Sequence, residues 1–333
     1  MCAFLLQVSE IYSVSCYPSN IAAAPLAIPT PPLSGFSYLS SLHRGDIVEL
    51  QGPSGSGKSH LLYYLICSCI LPLRLGGWNK VSVVFDTDGT FDIHRLQTLL
   101  RGRLKHNFPS DERSTGQIIS VALRNLHIFR PNSSSQLAAG LANLSTYHVS
   151  NLPTSEIALL AIDSVSAFNW LDRFAIEQRN TAPSPTVAAP LPTYAAHPHQ
   201  TVLTALWRFR RSHYPVTVLV NRAIGTTSSG VHPAFQLYKQ GLPSFPTRSC
   251  SYPDRSDGTN LLTHQVILNL ACVVPSHGTN GGQRTPSVVR QVDIHVQVKI
   301  GVDHVESLVM KINPDRVVIS MPDDAHTPES EER

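Results

Sequence analysis

Residues Gly52-Pro53-Ser54-Gly55-Ser56-Gly57-Lys58-Ser59 form a glycine-rich run that closes on a lysine and a hydroxyl. Phosphate binding is the chemistry that needs residues of these types in this order. Glycines let successive backbone N–H groups turn inward around an anion, a lysine reaches the β- and γ-phosphates, and a serine hydroxyl offers a magnesium ligand. Such a run is informative only between a strand and a helix, and both flanks are present. Ile47-Val48-Glu49-Leu50 reads as a short strand, and Leu61, Leu62, Leu65, Ile66 and Cys69 then recur at helical spacing. A merely flexible Gly/Ser loop requires neither the lysine nor the flanking elements. The run therefore predicts a site for a nucleoside triphosphate with Mg2+.

A carboxylate that helps to hold magnesium is expected at the end of a second strand. Ala158-Leu159-Leu160-Ala161-Ile162-Asp163 is an apolar run closed by one acid. In a parallel sheet this places Asp163 at the C-terminal edge beside the phosphate loop, where Ser59 and Asp163 can share the metal. A strand-end aspartate also caps turns, so Asp163 carries a structural reading too. Asp86-Thr87-Asp88-Gly89 adds an acidic pair at the end of another strand. Asp88 is the candidate for polarising an attacking water, although Asp-Gly is equally a turn pair.

The elements that would position these residues alternate. After an irregular, proline-punctuated tail over 1–43, strand and helix follow one another from Gly45. Val81 to Asp86 reads as a strand, Ile93 to Leu104 as a helix, Leu126 to Phe129 as a strand and Gln136 to Leu144 as a helix. Ile157 to Asp163 is the most apolar strand and is expected at the sheet's centre. A helix over Gln200 to Ser212 and a strand over Val216 to Val220 follow. Two long loops, 175–199 and 225–260, leave one sheet edge and suggest a binding face. Val292 to Ile300 alternates with polar residues, and Leu308 to Ile312 pairs with Val317 to Ser320 across a turn. The pattern is α/β, a mostly parallel twisted sheet flanked by helices with antiparallel C-terminal strands. One core over 44–321 and an acidic tail over 322–333 complete it.

Composition narrows the setting. Lys and Arg number 26 against 23 Asp and Glu, so overall charge does not mark a nucleic-acid binder and any DNA contact has to be local. Six cysteines form no C-x-x-C pair, as expected of reduced thiols in cytosol or nucleus. No basic leader and no membrane-spanning apolar run are apparent, so no membrane partner is expected. Arg208-Phe209-Arg210-Arg211 is too short to establish nuclear import.

Asp163-Ser164-Val165-Ser166-Ala167 after the apolar strand, and Asp86-Thr87-Asp88-Gly89-Thr90-Phe91, resemble the ATPase core of the RecA-type eukaryotic recombinases and their paralogues. Leu42-His43-Arg44-Gly45-Asp46-Ile47, Phe91-Asp92 through Arg95-Leu96, and Phe168-Asn169-Trp170-Leu171-Asp172-Arg173 narrow the resemblance to the paralogues. It spans Leu42 to Ser320 and is weakest across the two long loops. It implies a RecA-like phosphate-loop core and an ATP-binding subunit of a nuclear hetero-oligomer with other recombinase paralogues. Such a subunit would support homologous-recombination repair on single-stranded or branched DNA.

The chain departs from the recombinase pattern at two chemical positions. Asp88 stands where active recombinases carry a glutamate, which implies slow or absent hydrolysis. Asn221-Arg222 stands where they carry Asn-Gln, the γ-phosphate sensor. Residues 1–43 match neither the recombinases' helical N-terminal domain nor their polymerisation tether, so a filament formed by this chain alone is not expected. The second loop carries Lys239, Arg248 and Arg255 among aromatics, a mixture suited to single-stranded DNA, with Asp254 and Asp257 diluting the charge. Trp207 to Arg211 and His94 to His106 are further basic stretches that suit helix ends and solvated faces as well as they suit DNA. Three readings stay open beside the repair subunit: a DNA-stimulated ATPase or strand-exchange motor, a small-molecule phosphotransferase, and an interaction module with a structural nucleotide.

Overall fold

The computed structural model describes residues 42–105, 112–181, 198–224, 235–236, 262–269, 292–300 and 304–320. The chain begins with β1 (Ile47–Gly52), α1 (Lys58–Ile70), β2 (Val81–Asp86), α2 (Ile93–Lys105), α3 (Glu112–Leu123), β3 (Leu126–Phe129) and α4 (Ser134–Asn151). It continues with β4 (Ile157–Asp163), α5 (Asn169–Thr181), α6 (Pro198–His213), β5 (Val216–Ile224) and β6 (Phe235–Gln236). The last elements are β7 (His264–Asn269), β8 (Val292–Ile300), β9 (His304–Ile312) and β10 (Val317–Ser320).

Among the described residues, all ten strands join one sheet, in the order β10-β9-β8-β7-β1-β5-β4-β2-β3, with β6 paired to the end of β5. Pairing is parallel from β3 through β2, β4, β5 and β1 to β7. It is antiparallel from β7 through β8 and β9 to β10. Every residue of β1, β2 and β4 is buried. These strands are covered on both faces and read as largely apolar runs for that reason, with Glu49, Gln51 and Ser82 as buried polar exceptions. One face packs against α1, α2 and α3 through residues such as Leu62, Ile66, Leu96, Leu100 and Ile119. The other packs against α4 and α6 through Leu137, Leu141, Val202, Leu206 and Phe209. The antiparallel strands contribute Ile294, Val296, Val298, Leu308 and Met310 to the first core alone.

Several expectations change. The most apolar strand, β4, is third from one edge, and β1 takes the middle of the nine-strand path. Apolar continuity reports two covered faces, not centrality. Helix α3 and strand β7 have no counterpart in the sequence reading. Gly116 and neighbouring hydroxyls blur the α3 pattern, yet Ile119 and Ala122 are buried in the first core. Residues 175–181, expected in the first loop, continue α5, where Arg173 and Glu177 pair one turn apart at 3.0 Å, and α6 begins at Pro198. Strand β5 runs on to Ile224, and its last two residues pair with β6 inside the second expected loop. Leu42, placed in the expected tail, is buried in the first core. Most of both loops, residues 1–41 and residues 322–333 lie outside the described residues.

Candidate phosphate-binding site

The C-terminal ends of β1, β4, β2 and β5 converge on one edge of the sheet, the place where open parallel sheets build ligand sites. From β1 the chain turns through the glycine run into α1, with Gly57 in the left-handed region at φ 85°. A methyl group on Gly57 would meet Ile294 Cδ1 at 2.6 Å and Met310 Cε at 2.7 Å, side chains of β8 and β9. Backbone conformation and packing both require glycine here. Lys58 Nζ donates to the carbonyls of Gly52 at 2.9 Å and Pro53 at 2.6 Å, folding the loop around its own ammonium. Burial lowers the Lys58 pKa, Asp163 opposes that, and Arg222 adds to it.

Asp163 arrives from β4 and is buried, with the Ser59 hydroxyl donating to its Oδ2 at 3.3 Å. Burial, then the neighbouring Asp88 charge, push its pKa up to about 6, while the Ser59 hydrogen bond pulls the other way. A hydroxyl and a buried carboxylate whose lone charge is penalised make a hard oxygen pair that a divalent cation would relieve. Mg2+ characteristically takes one or two protein oxygens and completes its shell with phosphate and water. The residues present therefore fit Mg2+ with a nucleoside triphosphate. No cluster of three or more acidic, His or Cys side chains forms a separate metal centre among the described residues.

The acidic pair after β2 divides in function. Asp86 is buried, accepts from Arg130 Nε at 3.0 Å and from the Phe91 amide at 3.3 Å, and so secures the turn out of β2. Asp88 is exposed, and its Oδ1 accepts from the Thr90 hydroxyl at 2.8 Å in a local turn. It still lies close enough to act electrostatically on Lys58 and Asp163. Thr87 bridges the two strand ends: its amide donates to the Asp163 carbonyl at 2.8 Å and its hydroxyl to the Ser164 carbonyl at 2.7 Å. The sequence reading gives Thr87 no role of its own and does not single out Arg130. A short hydroxyl between two acids and an arginine just after β3 are the only signals they give.

No protein-family model matches the chain. It is 37% identical to mouse DNA repair protein XRCC2, over 39% of this chain and 43% of that protein. The XRCC2 homolog of Arabidopsis thaliana is 29% identical, over 42% of this chain and 47% of its own length. DNA repair and recombination protein RadA of Methanocorpusculum labreanum is 32% identical, over 36% of each.

The chain resembles DNA repair protein XRCC2 and other RecA-type recombinase paralogues. Its fold is RecA-like, as the mostly parallel sheet with antiparallel C-terminal strands and the RadA likeness indicate together. The match covers less than half of the length of each of these relatives.

In this XRCC2-like chain the expected sensor pair is split. Asn221 is buried, and its Nδ2 donates to Glu49 Oε1 at 2.9 Å, away from the phosphate loop, whereas Arg222 is exposed. Lys239, Arg248 and Arg255 lie outside the described residues. At the basic end of α6, Arg210 is structural: it is buried, donates to Thr217 Oγ1 at 3.0 Å and stacks over Trp207, whereas Arg208 and Arg211 are exposed. Two arginines of α2 are also engaged. Arg95 donates to the carbonyls of Asn313 and Pro314, and Arg103 donates to Ser68 Oγ at 2.9 Å. Cys67 and Cys69 are free and buried, and burial pushes the Cys67 thiol up to about 12, leaving it inert. No described helix is long and apolar enough to cross a membrane.

Proposed function

We propose that this chain is an ATP- and Mg2+-binding recombinase-paralogue subunit. In this reading it assembles with other paralogues in the nucleus and assists a recombinase filament on single-stranded or branched DNA. Its role is in homologous-recombination repair of double-strand breaks and replication forks. The observation that carries the reading is the meeting of Ser59 with Asp163 at the phosphate loop, in a chain similar to XRCC2. The residues have separable tasks. Loop amides and Lys58 bind the β-phosphate, Ser59 and Asp163 hold Mg2+, and the nucleotide stabilises the sheet edge from which the long loops depart. Bound Mg2+ would neutralise charge between the β- and γ-phosphates. Lys239, Arg248 and Arg255 are proposed as the DNA contacts.

A second reading, a DNA-stimulated ATPase, is favoured by Asp88 acting on both Lys58 and Asp163. Its carboxylate would orient the attacking water once released from Thr90. The two readings separate on turnover. ATP affinity and hydrolysis are measured with and without single-stranded DNA, beside Lys58→Ala and Asp88→Ala. Tight Mg2+-dependent binding with negligible turnover, and loss of binding in Lys58→Ala alone, is the result expected of the assembly subunit. DNA-stimulated turnover lost in both variants replaces that reading with the motor.

A further inference from the structure

Helix α5 follows β4 at the sheet edge that carries Asp163, and it displays its apolar side to solvent. Trp170, Leu171 and Phe174 are 57%, 65% and 59% exposed. The helical repeat of about 3.6 residues places all three within a sector of about 100°, the width of stripe by which a surface helix ordinarily seats itself on a core. The side that faces the protein is less apolar. Asp172, Ala175 and Ile176 are half-buried there, and Asp172 Oδ2 accepts from the buried Ser134 hydroxyl at 2.6 Å. Phe168, immediately before the helix, belongs to the core under α4 and α6. Anchored at Phe168 and Asp172, α5 is held with its aromatic stripe outward, and rolling the stripe inward would strip a buried hydroxyl of its acceptor.

Area and charge together select what covers the stripe. The exposed parts of the three side chains amount to roughly 350 Å² on the areas usual for residues of this size. That lies within the about 300–600 Å² of the largest patch on a monomer, which is often functional. It is less than half of the about 800 Å² that each side of a stable dimer contributes, so two copies meeting through this stripe alone fall short. The area matches one apolar segment of a larger partner, laid along the helix as amphipathic segments lie in grooves. Charge points the same way. Within α5, Asp172 and Glu177 balance Arg173 and Arg179. Arg173 is engaged with Glu177 at 3.0 Å and with the Trp170 ring, 5.9 Å from its centroid. A polyanion binds where cations stand unneutralised, and this helix is neutral. An exposed tryptophan beside an arginine is instead the composition of a protein hot spot.

We infer that Trp170, Leu171 and Phe174 anchor another protein, a recombinase paralogue that lays an uncharged apolar segment across α5. The inference names a surface for the assembly proposed above and rests on that part of the reading.

The test measures the affinity of the full chain for purified recombinase paralogues, each taken singly, in wild type, Trp170→Ala, Leu171→Asp and a control on β9, Val305→Asp. Wild type is expected to hold at least one paralogue, Trp170→Ala and Leu171→Asp to bind it at least about tenfold more weakly, and Val305→Asp to bind it as wild type does. Each variant alone is expected to melt as wild type does, because the altered side chains are more than half exposed. If Trp170→Ala fails to fold, Leu171→Asp, at the most exposed of the three positions, decides. Sedimentation of the chain alone and titration with a fluorescent single-stranded oligonucleotide examine the other occupants. Unchanged paralogue binding in both stripe variants overturns the inference and leaves the assembly reading standing. Three further results overturn it in favour of another occupant: a wild-type dimer that the stripe variants disperse, oligonucleotide binding that they lose while paralogue binding persists, or a lower melting temperature of both, the mark of a stripe covered from within the chain. Wild type that holds no paralogue overturns the assembly reading and the inference together.

Discussion

The two halves of the sheet are built by different rules. From β3 to β1 the strands are parallel, helices cover both faces, and β1, β2 and β4 have no exposed residue. From β7 to β10 the burial alternates: in β8, Ile294, Val296 and Val298 are buried while His295 and Gln297 are exposed. The first half holds the site because parallel strands send all their C-terminal ends to one edge. The second half supports it from beneath, since Ile294 and Met310 close against Gly57. The contrast separates a rigid doubly covered frame, which fixes where charges stand, from a singly covered sheet that presses on the loop.

The sharpest contrast is expected between one apolar truncation in each half, at a doubly covered position and on the uncovered face. Leu160→Ala empties a fully buried position of β4 and should cost about 2–5 kcal/mol in denaturant unfolding. Val305→Ala on β9, where the side chain is 58% exposed, should stay within about 0.5 kcal/mol. Similar costs at the two positions would break the distinction between the halves.

The link between the halves is tested at Gly57. Gly57→Ala combines a left-handed backbone with the approach of Ile294 and Met310, so a loss of about 2–4 kcal/mol is expected from strain and overpacking. Met310→Ala removes one of the two nearest obstacles. In a double-mutant cycle the combined variant should be more stable than the sum of the single losses predicts. Strict additivity would mean that the hairpin does not press on the loop.

These differences also explain what was legible in the sequence. Gly52 to Ser59 announces its chemistry because the whole device is contiguous, and doubly buried strands announce themselves as apolar runs. The Ser59–Asp163 pair joins residues 104 apart and could still be anticipated, because an acid that closes an apolar strand of a parallel sheet belongs at the edge where the phosphate loop opens; the strand order itself is not encoded locally. Strand β7 hides because Gln265 and Asn269 interrupt it, and its parallel partner is more than two hundred residues upstream. Asn221 and Arg222 look like one unit in the sequence; strand parity sends them to opposite faces, and only the extension of β5 to Ile224 reveals that. Asp86 and Asp88 stand two residues apart in one turn, and the commitment of the first to Arg130, an arginine just after β3, is not visible in the local pattern.

The smallest expected effect concerns Asp163, a carboxylate that the rigid half buries with only a hydroxyl donating to it among the described residues. Asp163 titrates near 6 in the folded chain against an ordinary 3.8. Between those values the folded protein holds a proton that the unfolded chain has released. Stability therefore falls as pH rises through this window, and the penalty is complete above it. In solution free of nucleotide and Mg2+, Asp163→Asn removes the charge while still accepting from Ser59. It should be more stable than wild type by about 1–3 kcal/mol at pH 8 and by much less near pH 4. Urea unfolding at the two pH values measures this, and a stability difference independent of pH would show that the burial of Asp163 carries no penalty. The same substitution should abolish the Mg2+ dependence of nucleotide binding. A gain in stability coupled to a loss of binding is the signature of a charge kept for a ligand against the preference of the fold.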